Sequence, residues 1–100
     1  MAIYKLWRGR FTEAWYRLSQ DEQQQLLGKV VGALEQVGAK ELVACESAWS
    51  NERWQAFGVE EFQDVDTEQR HQQMLLDLAW PRYFESETTL GTEMALPVVP

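Results

Sequence analysis

The string Ser19-Gln20-Asp21-Glu22 constrains this chain more than any other stretch of it. A serine whose hydroxyl caps the first turn, with a glutamate three residues on that reaches back to its amide, forms a capping box and marks where a helix begins. Behind it Leu27, Val30, Val31, Leu34 and Val37 recur at helical spacing, and Gly38 stands where a left-handed C-terminal residue is wanted. The reading is a helix over residues 20–37. Gly28 and Gly32 lie one turn apart on it, each costing roughly 1 kcal/mol against alanine. Close approach of this helix to a sheet is the expected reason. A phosphate cradle is not, because neither glycine follows a strand in a glycine-rich loop.

The segments around this helix read as strands. Ala2 to Trp7 is short, aromatic and β-branched, and Gly9 is expected to end it. Phe11, Trp15 and Leu18 stand at i, i+4 and i+7, predicting a helical turn that seats Trp15 on the core. Glu41 to Trp49 and Trp54 to Gln63 are two further strands, paired antiparallel across the turn Ser50 to Arg53. Asp64 and Asp66 can each cap a second long helix, with His71, Met74, Leu75 and Leu78 as its inner stripe and Trp80-Pro81 as its stop. Tyr83 to Leu90 is the fourth strand, closed by Gly91.

This order predicts an α+β fold, a ferredoxin-like βαββαβ domain over residues 1–94. Its four-stranded antiparallel sheet carries two helices on one face. Residues 95–100 form an apolar tail. An antiparallel sheet with one face in water alternates cleanly between apolar and polar residues. Here both parities of the second strand (Val43, Cys45, Ser47, Trp49 against Leu42, Ala44, Glu46, Ala48) keep apolar residues. The second face is therefore expected to be covered by another copy of the chain, as a twofold homodimer.

Composition removes several function classes. One hundred residues suffice for one core. A net charge of −7 makes nucleic acid and anionic membranes poor partners, since both reward clustered Lys and Arg. The one basic concentration, Lys5, Arg8, Arg10 and Arg17, reads as a solvated edge before it reads as an anion site. Cys45 is the sole cysteine, so no intrachain disulfide forms, and with no signal-like h-region and no run near the ~20 apolar residues a membrane helix needs, the cytoplasm is the expected compartment.

Candidate chemistry is sparse. His71, the only histidine, suits proton transfer or haem ligation, but on the stripe with Met74 and Leu78 it equally reads as a core-edge residue satisfied by one hydrogen bond. With no second His or Cys at ligand spacing, no metal site is expected, and no cofactor. Glu46, Glu60, Glu85 and Glu87 sit on strands, where a carboxylate facing an apolar cavity has a raised pKa and acts as acid or base; Glu46 stands out because Leu42, Ala44 and Ala48 share its parity. Cys45 reads as an inert thiol. Tyr4, Trp7, Trp49 and Trp54 are candidates for a pocket that holds a flat apolar ligand, or for packing at the dimer interface.

Some strings are also familiar. Trp15-Tyr16-Arg17-Leu18-Ser19-Gln20-Asp21-Glu22 resembles the W-x-x-L-S-x-x-E opening of the first helix in darcynin-like and related proteins of unknown function. Trp80-Pro81-Arg82-Tyr83-Phe84 resembles their W-x-x-Y-F passage into the last strand, and Trp49-Ser50-Asn51-Glu52-Arg53-Trp54 and Phe57-Gly58-Val59-Glu60 fit one such group. The resemblance spans most of residues 2 to 94 and implies the dimeric α+β barrel superfamily, in which two ferredoxin-like sheets face each other. It assigns no catalytic residue. Two functions are therefore expected: a homodimeric ligand-binding or structural module, or a cofactor-independent enzyme of monooxygenase or isomerase type. The enzyme would act on a hydrophobic small molecule with His71 or Glu46 in the half-barrel cavity. Haem binding through His71 ranks third.

Overall fold

The computed structural model describes residues 1–97. The chain runs β1 (Ile3–Phe11), α1 (Glu13–Tyr16), α2 (Gln20–Gln36), β2 (Lys40–Glu46), β3 (Ala56–Phe62), α3 (Val65–Asp77), α4 (Trp80–Tyr83) and β4 (Phe84–Gly91). This is the βαββαβ order with two one-turn helices added. The four strands form one sheet in the order β2-β3-β1-β4, antiparallel at every step.

Both long helices begin at the caps their sequences encode. Ser19 Oγ accepts from the Glu22 amide at 3.1 Å, and Glu22 Oε1 accepts from the Ser19 amide at 2.9 Å. Of the two aspartates able to cap α3, Asp64 does so, its Oδ1 accepting from the Thr67 amide at 2.8 Å and the Thr67 hydroxyl at 2.7 Å. Gly38 takes φ 73°, as a helix C-terminal glycine should. Ala79, at φ 56°, ends α3 in the left-handed region. Trp80-Pro81 then does more than stop a helix. It starts α4, where a proline in the first turn loses no hydrogen bond.

The helices lie on one face. Lys5 reaches from β1 to Glu68 and Gln72 of α3, so the β1 residues of its parity (Ile3, Lys5, Trp7, Gly9, Phe11) face the helix layer. At one end of that face the core is aromatic: Phe11 stacks on Trp15 with centroids 4.4 Å apart, Phe84 meets Phe11 at 5.1 Å, and Trp80 stacks on Phe84 at 5.2 Å. The short helices α1 and α4 carry Trp15 and Trp80 to this cluster.

Several boundaries differ from expectation, each for a local reason. Gly9 does not end β1, which continues to Phe11; a side chain at Gly9 would collide with the Phe84 ring, so its glycine serves packing. β2 stops at Glu46, because the Ser47 amide turns back to Gln55 O and Ser47 Oγ to Trp54 O. Asn51 Oδ1 then accepts from the Arg53 and Trp54 amides and closes the turn, so β3 starts only at Ala56. Gly28 and Gly32 do not mark close approach to the sheet, since a Cβ at either would meet nothing within 4 Å. The blurred alternation of β2 has its origin in the strand register. A bulge between Glu41 and Val43 inserts Leu42 and switches the parity of the residues that follow. Of the tail expected over 95–100, residues 98–100 lie outside the described residues, and Ala95 to Pro97 are exposed without helix or strand.

Close approach occurs instead at Gly58. A Cβ there would stand 2.5 Å from the Val43 carbonyl oxygen and 2.7 Å from the Trp7 ring, which lies against the glycine. Gly58→Ala should therefore destabilise the fold by roughly 1–3 kcal/mol through forced displacement. Gly28→Ala and Gly32→Ala should each stabilise it by roughly 0.5–1 kcal/mol, having open space and better helix propensity. Urea midpoints of the three variants against the parent check both directions.

Candidate functional site

Two surfaces of the sheet carry candidate function, and β1 supplies both through its alternation. On the helix-free face the strand registers build three rows: Cys45, Phe57, Arg8, Glu87; then Val43, Val59, Leu6, Thr89; then Lys40, Glu61, Tyr4, Gly91. The middle row with Phe57 and Cys45 is an apolar band over β2, β3 and β1. Leu6 and Val43 are each 47% exposed and Phe57 41% exposed. The β1–β4 side is charged but internally paired, Arg8 with Glu87 at 2.6 Å and Arg10 with Glu85 at 2.7 Å. Arg17 pairs with Glu13 at 2.9 Å and Lys5 with Glu68 at 3.2 Å. The N-terminal basic group is thus neutralised residue by residue and leaves no anion site.

Beneath α3 lies a cluster of ionisable groups. Lys5 and Glu68 are both buried, and Lys5 Nζ donates to Glu68 Oε1 and to Gln72 Oε1, each at 3.2 Å. Register places Glu60 beside Lys5 and Glu41 beside Glu60, on the helix side. Trp7 Nε1, crossing Gly58, donates to Glu41 Oε2 at 3.2 Å. One ammonium faces three carboxyl groups here, so one of the three should keep its proton. Glu60 is that one. Burial pushes its pKa up to about 7, the Glu41 charge adds to this, and the Lys5 ammonium opposes it. Glu41 is also raised, chiefly by burial, with hydrogen bonds from Trp7 and Glu60 acting against the shift.

His71 adjoins this cluster on α3. It is 2% exposed, its ring 5.3 Å from that of Phe62, and its Nδ1 has no hydrogen-bond partner among the described residues. Burial lowers its pKa to about 4, and the Lys5 charge lowers it further against the opposing Glu68. It is held as a neutral imidazole.

The residues singled out in the sequence do not converge. Glu46 is exposed at the end of β2 opposite Ala56, while His71 packs on Phe62 at the other end of β3. Ala56 and Phe62 are the two ends of the seven-residue β3, about 20 Å apart at the rise of an extended chain. Tyr4 and Trp7 fall on opposite faces. Tyr4 donates to Glu61 at 3.3 Å on the open side, and the Glu61 charge holds its phenol above the ordinary value. Trp49 is 84% exposed in the 47–55 turn, and Trp54 is buried beside the Arg8 and Arg53 guanidiniums at 5.9 and 4.9 Å. Glu60, read in the sequence only as one of four strand carboxylates, is the one whose acidity the fold perturbs most. Its signal was parity: it shares a face with Phe62, as Lys5 does with Ile3 and Trp7.

Two shallow depressions lie elsewhere, about 220 Å³ among Leu18, Leu26, Leu78 and Tyr83, and about 150 Å³ among Ala2, Lys40 and Phe62. Among the described residues no three His, Cys, Asp or Glu side chains gather to hold a metal ion, and no helix is long and apolar enough to cross a membrane.

No protein-family model matches the chain, and no curated protein matches it in sequence. Its fold is similar to that of protein SP2199 from Streptococcus pneumoniae, seen by X-ray crystallography, with a TM-score of 0.51 at 10% identity over 94% of this chain and 89% of that one. At that identity the likeness establishes the α+β fold and nothing of the chemistry.

The two perturbed groups make opposite demands on pH. Glu60 binds its proton to about pH 7 in the folded chain but ordinarily releases it near 4.5. Its contribution is full below 4.5 and lost as pH rises through 7. His71, lowered from 6.5 to about 4, contributes fully above 6.5 and loses it as pH falls through 4. The slopes oppose one another in between, so stability should be nearly level from about pH 4.5 to 6.5. Glu60→Gln removes one slope, and its stability relative to the parent should grow by up to about 3 kcal/mol from pH ~4 to pH ~8. Chemical denaturation at stepped pH measures this; parallel profiles for the two proteins would refute the assignment.

Proposed function

We propose that the chain works as a homodimeric α+β barrel, a ligand-binding or structural module in which two copies lay their helix-free sheet faces together. The observation that carries this is the half-exposed apolar band of Val43, Val59, Leu6 and Phe57 at the middle of a sheet. An apolar band in that position is a favourable surface to remove from water, at about 25 cal/mol per Å². A second copy fits it because the charged side of the face is already neutralised by the Arg8–Glu87 and Arg10–Glu85 pairs, and a twofold axis sets apolar against apolar. The strings that resemble darcynin-like proteins agree with this reading, with residues 1–94 as the protomer body. A hydrophobic small molecule is the ligand class such an interior takes. Of the candidate aromatic residues, Tyr4 stands on that face and Trp54 beside its Arg8, whereas Trp7 and Trp49 are placed elsewhere and would act outside it.

The enzymatic reading keeps one specific support, a Glu60 carboxyl that exchanges its proton near neutrality next to an ammonium. In that reading Glu60 joins His71 and Glu46 as candidate proton carriers. Glu60→Gln, His71→Ala and Glu46→Gln, assayed for turnover of hydrophobic small molecules, separate the three.

Sedimentation velocity tests the dimer. The parent should sediment as a dimer at micromolar concentration. Leu6→Glu, which sets a charge in the middle row, should sediment as a monomer with an unchanged circular dichroism spectrum. A parent that is monomeric at micromolar concentration overturns the proposal.

A further inference from the structure

Strand β2 is an edge strand, bonded to β3 on one side, exposed along nearly all its length and little supported by α2. Near its start two carboxyl groups stand directly opposite each other, Glu41 on β2 and Glu60 on β3. Like charges in that position push strands apart. The bulge at Leu42 follows at once, so the pairing there has the least regular ladder to resist such a push.

The groups that face Glu60 come from every element packed against it. Lys5 approaches from β1, Glu68 from α3 and Glu41 from β2. His71 of α3 faces Lys5 and Glu68 and is neutral. The Lys5 ammonium is committed to Glu68 and Gln72, which leaves it poorly placed to compensate a second charge at Glu60. With a proton on Glu60, its hydroxyl can be offered across the ladder to the Glu41 carboxylate, which already accepts from the Trp7 indole N–H.

We propose that Glu41 and Glu60 form a one-proton latch that fastens the start of edge strand β2 to the sheet and releases it when the proton is lost. The proton leaves to solvent base by way of Glu41, which is exposed, and no bond between heavy atoms changes. Release frees residues 40–43 first, because the aromatic cluster and the β1 pairings with β3 and β4 do not involve them. Val43 belongs to the apolar band of the open face, so the latch also sets how complete that band is. The latch itself needs no dimer.

Hydrogen exchange on the full chain, corrected for intrinsic chemical exchange, tests it. Between pH ~6 and pH ~8 the parent's protection over residues 40–46 should fall about tenfold, while β1 and β4, which open only with the whole fold, lose much less. Glu60→Gln still offers a donor to Glu41 but never ionises, and Glu41→Gln removes the opposing charge. Both should hold β2 protected at the higher pH. A parent whose β2 protection does not change with pH overturns the latch. So does a loss that persists in both variants, or one shared equally by β1 and β4.

Discussion

Lys5 sits at the centre of the sheet and points into the helix layer, a position usually given to an aliphatic residue. Its ammonium is buried, and a buried charge is tolerated only when it is paired and hydrogen-bonded. Glu68 and Gln72, one turn apart on α3, supply both partners. Removing one member of such a pair is costly, about 3–5 kcal/mol, while the pair itself adds little over a well-packed apolar substitute. Its effect is therefore one of specificity. It fixes which turn of α3 lies over β1, and through α3 it sets the depth of His71 and the surroundings of Glu60.

Around that pair the helix-side core is divided. At the Phe84 end, aromatic rings from β1, β4 and the two short helices pack edge to face and in stacks. At the other end the same face carries Lys5, Glu60 and Glu41 beside Trp7, Phe62 and His71. The apolar half of the molecule supplies cohesion, and the ionisable half supplies a proton that titrates near neutrality. Separation of the two halves lets Glu60 carry a perturbed acidity without placing the charge against the aromatic cluster.

The candidate site was partly legible in the sequence, and its gaps follow from geometry. Parity along β1 was enough to place Tyr4, Leu6 and Arg8 on one side and Lys5 and Trp7 on the other. Parity along β2 was not, because the bulge at Leu42 breaks the count and leaves Glu41 on a different side from Val43 and Cys45. Grouping Tyr4, Trp7, Trp49 and Trp54 by residue type ignored that adjacent strand positions face opposite ways. Glu60 stood in view as one strand carboxylate among four. Parity with Phe62 was its one local sign, and nothing local showed that Glu85 and Glu87 meet arginines in solvent-facing pairs.

The sequence by itself determined the elements whose signals are local. The Ser19–Glu22 box, the Asp64 cap, Gly38 and the order of strands and helices each depend on residues within a few positions of one another, so composition and spacing sufficed. Only the tertiary structure decided what depends on contact between distant segments. Lys5 meets Glu68 across 63 residues, Gly58 is glycine because Trp7 lies on it, and Glu60 keeps its proton because Glu41, Lys5 and Glu68 converge from three elements. Burial and charge are properties of assembled surroundings, and a strand read alone carries neither.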